Sequence, residues 1–149
     1  MATRNDILNQ IKEDLKKYIT VENDYSFTPQ SVNRGVYSYN DFQGKYPSIC
    51  FTFTEEVPYE DDVYVKTYDD TDIKAMTIVF YGYARSDDAF NSEKIYDMVE
   101  DVETFIQSDS FTYYEDITIN NLEVKEAGPS DRSLAFFINT TLVVNDDIP

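Results

Sequence analysis

Carboxylates are the abundant reactive groups of this chain. Its 29 Asp and Glu side chains stand against 12 Lys and Arg, for a net charge of −17, and it has no histidine and one cysteine, Cys50. Without histidine, neither a Ser-His nor a Cys-His nucleophilic pair can be built. Zinc sites of the usual Cys and His type are excluded for the same reason. Cys50 on its own is expected to be an ordinary, partly buried thiol. Four glycines in all leave little room for a Gly-rich phosphate loop. Asp61 with Asp62, and Asp69 and Asp70 with Asp72, offer the oxygen ligands that Ca²⁺ and Mg²⁺ prefer. Their spacing does not fit an EF-hand loop, so a solvated acidic loop that gathers counterions loosely is expected. A glycosidase would need two carboxylates flanking a sugar site, and in a chain this acidic such pairs arise by chance. The residue types therefore predict no catalytic, cofactor or metal residues.

The charge also bounds the partners. A field this negative repels DNA phosphates and anionic lipid, and self-repulsion opposes compaction. Hydrophobic residues still make up 42% of the chain and aromatics 15%, enough for a core and against wholesale disorder. The 149 residues predict a single domain, 1–149. No signal peptide is read and no run of 18 apolar residues occurs. One cysteine excludes an intrachain disulfide and fits a reducing compartment.

The elements follow from periodicity. Ile7, Leu8, Ile11, Leu15 and Tyr18 recur at helical spacing, which predicts a helix over about 4–18, capped by Thr3 with Asp6 in the first turn. Val32–Tyr39 reads as a strand with a weak point or bulge at Gly35, and Asp41–Pro47 as a loop. In Ser48–Thr54, Ile49, Phe51 and Phe53 point one way; Cys50, Thr52 and Thr54 point the other. Cys50 then belongs on the less buried face or under a neighbouring helix. Glu55–Asp72 is the most acidic stretch and reads as a protruding β-hairpin or loop. Ile73–Tyr83 is apolar on both faces, which predicts a central strand in a sheet covered on both sides.

Ser86–Gln107 reads as a second helix. Its stripe is Ile95, Met98, Val99, Val102, Phe105 and Ile106; its other face carries Glu93, Asp97, Glu100, Asp101 and Glu103 against Lys94. Asp87 and Asp88 suit its N-terminus. Ile117–Val124 alternates imperfectly around Asn120 and Asn121, which predicts a bulge or turn there, and Leu134–Val144 is a long closing strand. The expected fold is α+β, with a mixed or mostly antiparallel sheet against two amphipathic helices.

The scarce cations are informative in an acidic chain. Arg34, Arg85 and Arg132 fall near strand ends or turns and can pair with carboxylates bidentately, so they are candidates for contacts between subunits. Tyr37, Tyr39, Tyr46, Tyr59, Tyr64 and Tyr68 cluster in the first half; protein contact or internal packing suits them better than base stacking, which needs a positive groove.

This layout resembles the tail terminator, or tail-completion, proteins of tailed bacteriophages. The similarity lies in the leading amphipathic helix, the turn-strand at Asn33-Arg34-Gly35, and Tyr46-Pro47-Ser48-Ile49 entering a strand. It continues in the strand ending Tyr81-Gly82-Tyr83-Ala84, the Ile95–Ile106 helix and two closing strands. The resemblance implies a small domain that forms a homohexameric ring in the virion tail or neck. Such a ring caps the tail tube, ends its polymerisation and joins it to a neck or head-completion protein, while DNA passes through without specific binding. It implies no catalytic residues, no cofactor and no membrane. Arg34, Arg85, Arg132, Tyr64 and Tyr68 are the subunit-interface candidates it leaves. Glu60, Asp61, Asp62, Asp69 and Asp70, or Asp97 and Glu100, would then face the channel, where carboxylates repel DNA. Another head-tail joining protein and an acidic DNA mimic are the competing readings, with a cation-dependent enzyme last.

Overall fold

The computed structural model describes residues 3–35, 37–42, 44–58, 73–86, 92–108, 116–128 and 132–145. Helix α1 spans Arg4–Tyr18 and α2 spans Ser92–Ile106. Strands β1 (Ser31–Arg34), β2 (Ser48–Pro58), β3 (Ile73–Arg85), β4 (Asp116–Lys125) and β5 (Ser133–Asn145) form one mixed sheet in the order β1-β2-β3-β5-β4. Only β1 and β2 are parallel; the other neighbours run antiparallel. The fold is α+β.

Helix α1 begins where its cap dictates. The Thr3 hydroxyl accepts from the Asp6 N–H at 3.1 Å and the Asp6 carboxylate accepts from the Thr3 N–H at 2.9 Å, so two otherwise orphaned donors are satisfied. The same backbone N–H holds the Asp6 carboxyl below its usual range. Ile7, Leu8, Ile11 and Leu15 are buried, and the Tyr18 ring stacks on Phe105 of α2 at 6.2 Å. All six residues of the apolar stripe of α2 are buried too. The described part of that helix is Ser92–Ile106, and residues 87–91 of its predicted span lie outside the described residues. Ser86 follows β3, and its N–H donates to the Arg132 carbonyl at 2.7 Å; Asp87 and Asp88 lie outside the described residues.

Both helices pack on one side of the sheet. Met76, Ile78, Phe80 and Ala84 of β3 share a core with Ile49 and Phe51, with Leu134, Phe136, Ile138 and Leu142, and with the helix stripes. Thr140 is buried in this row without penalty, because its hydroxyl donates to the Ile78 carbonyl at 2.8 Å. The face away from the helices, expected to be covered as well, is covered among the described residues where Phe42 and its neighbouring tyrosines pack on Cys50, Tyr83 and Ala135. The opposite row of β3, with Thr77, Val79 and Tyr81, is only half-buried. Apolar residues on both faces look alike in sequence whether the second layer is a helix or a short turn.

Strand β1 is shorter than its reading. It stops at Arg34 because Gly35 takes φ +117, a left-handed backbone that glycine adopts at little steric cost. A parallel return needs a crossover of a dozen or so residues, and residues 35–47 supply it. Their Tyr39–Phe42 turn is a 3₁₀ helix, and Phe42 packs over Cys50, Tyr83 and Ala135 on the face away from the helices. Strand β2 runs through Pro58, with a bulge between Phe53 and Glu55, so the acidic stretch begins as strand. The bulge expected around Asn120–Asn121 is present between Ile119 and Asn121.

Candidate functional site

The arginines do not gather at one place. Arg34 points from β1 towards α1, where its guanidinium donates to Asn9 Oδ1 at 2.8 Å and Asn5 Oδ1 at 3.2 Å. Its fork is engaged with amides of its own chain. Arg85 ends β3 opposite Ser133, and Arg132 directly precedes β5, so these two exposed side chains come to one end of the sheet. Exposed Lys125, at the end of β4 and opposite Ala135, joins them there. On the helix side, Arg4 makes a forked contact with Glu56, at 2.8 and 2.5 Å.

Of the acids proposed to face a channel, Asp97 and Glu100 are exposed on α2 beside Glu93. Asp101, predicted on the same free face, is instead half-buried: it accepts from the Ser26 N–H at 2.7 Å and from the Ser26 hydroxyl. It anchors the loop after α1 to α2. Glu60, Asp61, Asp62, Asp69 and Asp70, with Tyr64 and Tyr68, lie outside the described residues. Among the described residues no three His, Cys, Asp or Glu side chains form a group that could hold a metal ion. No helix there is long and apolar enough to cross a membrane.

The aromatic crossover forms the most organised polar-aromatic cluster. Tyr39 and Tyr46 stack at 4.6 Å, Tyr46 donates its hydroxyl to the Tyr39 carbonyl, and Phe42 touches both Tyr37 and Tyr83. The Tyr83 hydroxyl donates to the Tyr37 carbonyl at 2.8 Å. Burial pushes the Cys50 thiol up to about 11 and the Tyr83 phenol up to about 12. At neutral pH these groups are uncharged, and the fully covered thiol offers no nucleophile. Tyr37, Tyr39 and Tyr46 are packing residues, not a free contact surface.

Below this lid, the face away from the helices carries a field that sequence inspection missed. The register sets Thr52 beside Val79, Asn139 and Asn121 in one row, and Thr77 beside Thr141 and Thr118 in the next. Tyr81 lies against Phe137, ring centroids 5.1 Å apart and nearly perpendicular. Asn120 donates from Nδ2 to Asn139 Oδ1 at 3.1 Å and Thr141 Oγ1 at 2.9 Å. Each strand contributes alternate residues, so the only signal in the sequence was a run of Thr, Asn and aromatics at every second position. Which strands lie side by side is a tertiary fact. No protein-family model matches this chain, and no curated protein is significantly similar to it.

Proposed function

We propose that the chain is a structural ring subunit of a bacteriophage tail, a tail terminator that caps the tube, ends its growth and joins it to the head or neck. One observation carries this reading: the element order on which the resemblance rests holds in the fold. The sequence Tyr46-Pro47-Ser48-Ile49 leads into β2, Tyr81-Gly82-Tyr83-Ala84 closes β3, and α2 follows before β4 and β5. The exposed Asp97 and Glu100 on α2 support a wall that DNA would pass without sticking. Arg85 and Arg132, at one end of the sheet, suit a head-to-tail contact with a neighbour's carboxylates, the arrangement that closes rings. The partners are then further copies in a homohexamer, the tail tube protein and a neck or head-completion protein.

Adding the purified chain to growing tail tubes tests this. Tubes should stop at shorter lengths and carry six copies at one end, seen by negative-stain imaging and mass measurement. Tubes of unchanged length without bound chain would refute the reading. Displacement of DNA from a basic protein by the free monomer would favour the DNA-mimic alternative, for which the exposed row Glu93, Asp97 and Glu100 is the relevant observation.

A further inference from the structure

We infer that the free chain pairs with a second copy edge to edge through β4, antiparallel, about a twofold axis level with the Asn120–Asn121 bond. The inference goes beyond the ring reading and does not rest on it.

Strand β4 is ten residues long and, among the described strands, has β5 as its neighbour on one side and stands at the edge of the sheet on the other. A strand at an edge turns a row of N–H and C=O groups outward, a template for pairing with another chain. The opposite edge, β1, offers only four residues. Thr118, Asn120, Asn121, Leu122 and Glu123 are exposed along β4. Leu122 stands opposite Ile138, which is fully buried, yet is itself 37% exposed. The layer that covers β5 therefore does not extend over the edge at Leu122.

The strand is complementary to its own reversal. Read outward from its midpoint, Asn120-Ile119-Thr118-Ile117 matches Asn121-Leu122-Glu123-Val124 in kind. Antiparallel self-pairing sets Ile119 opposite Leu122 of the other copy, Ile117 opposite Val124, Thr118 opposite Glu123 and Asn120 opposite Asn121. Opposed residues must share a face, and in a regular strand positions an odd number apart do not. The bulge between Ile119 and Asn121 removes that conflict. With one residue added, Ile117, Ile119, Leu122 and Val124 all pair with the helix-side row of β5, at Leu142, Thr140, Ile138 and Phe136. Thr118, Asn121 and Glu123 pair with the other row, at Thr141, Asn139 and Phe137. Asn120, the added residue, reaches back over β5 to Asn139 and Thr141 rather than across the edge.

Charge selects the occupant. A net charge of −17 opposes most contacts between copies, but this register sets no two carboxylates opposite each other. Each Glu123 meets a Thr118 hydroxyl that can donate to it. The two Glu123 side chains stand roughly 15 Å apart along the pair, at about 3.4 Å per residue, beyond the Debye length of about 8 Å at physiological ionic strength. Asn amides both donate and accept, so Asn120 and Asn121 suit each other. The Ile119–Leu122 pair, made twice, covers the exposed apolar side chain. Strand addition draws affinity from main-chain hydrogen bonds as well as from area. The contact is small, so the pair should be reversible, in the micromolar range or weaker. A strand that meets itself closes a dimer and cannot propagate around a six-membered ring, so the pair is a form of the free protein.

Sedimentation equilibrium over a concentration series at moderate salt should show the unmodified chain passing from one copy to two. Disulfide trapping reads the register. Thr118 and Glu123 are exposed and would be opposed across the pair, while the native Cys50 is fully buried. Under copper-phenanthroline, an equimolar mixture of the Thr118→Cys and Glu123→Cys variants should form linked dimers at least about tenfold faster than either variant alone, because only opposed positions come within disulfide reach. Leu122→Lys removes the apolar contact and puts a cation on the edge; it should weaken pairing at least about tenfold, with its circular dichroism unchanged. Lys also lowers the net negative charge, so charge alone would strengthen association. A chain that stays monomeric at every concentration would overturn the inference. So would a mixture that links no faster than the single variants, or a folded Leu122→Lys chain that pairs unchanged. Tube capping is measured separately: a pairing chain that does not shorten tubes removes the ring reading and leaves this inference standing.

Discussion

Phe136 fills the space above Gly82 that any other residue would need. The two are register partners on β5 and β3, and a Cβ at Gly82 would stand 1.9 Å from Phe136 Cε1 and 2.3 Å from its Cζ. Glycine in a central strand ordinarily weakens it. Here the missing side chain lets a fully buried aromatic ring lie flat on the sheet beneath the helices.

Gly82→Ala should therefore destabilise the fold by about 1–3 kcal/mol, the range for overpacking a well-filled core. Urea unfolding measures it. In a Phe136→Leu background the same substitution should cost less, because the obstructing ring atoms are gone. Equal losses in the two backgrounds would show that the ring is not the cause.

Asp14 is a carboxyl on the buried side of α1, only 6% exposed, and accepts from Gln10 Nε2 at 2.7 Å. Burial raises its pKa above the ordinary 3.8, and the Gln10 hydrogen bond offsets part of that. Between the unfolded and the raised folded value, the folded state holds a proton that the unfolded chain has released. The stability this proton contributes is complete below the unfolded value and is lost as pH rises through the folded one. Asp14→Asn, uncharged throughout, should be more stable than the unmodified chain at neutral pH, by on the order of 1 kcal/mol. The gain should disappear towards about pH 3, where both forms are neutral. Denaturation midpoints at the two pH values decide it; a variant that is less stable at neutral pH would show that the charge is accommodated.

Cys50 is fully covered by the crossover, and its thiol is raised to about 11. A thiol reagent at about pH 8, where a free cysteine reacts readily, should label the native chain only as fast as it unfolds. Labelling should be complete within the mixing time in strong denaturant. Rapid native labelling would mean that residues 35–47 open without global unfolding. Phe42→Ala should speed labelling by loosening that cover, since Phe42 packs against Tyr83 beside the thiol.

Periodicity made much of the fold legible. The α1 cap at Thr3, the six-residue stripe of α2, the alternating row of β5 and the bulge near Asn120 could all be read because each is set by neighbours a few residues apart. The strand expected to reach Tyr39 failed on one residue, since the left-handed turn at Gly35 competes with an aromatic run that suits a strand. The site residues fared worse. Arg34 was a candidate for contact with another subunit because a sequence shows its charge but not Asn5 and Asn9 beside it. Asp101 looked like one more free acid on a helix face until Ser26 arrived from a distant loop.

By itself the sequence determined composition-level chemistry and local structure: no histidine, a crowd of carboxylates, two amphipathic helices and strands with alternating faces. These follow from residue types and short-range spacing alone. Only the tertiary structure decided that β1 returns parallel to β2, that both helices share one side, and that Thr52, Val79, Asn139 and Asn121 line up across four strands. Pairing between strands depends on contacts far apart in the chain, and no local pattern encodes which distant partner is adjacent.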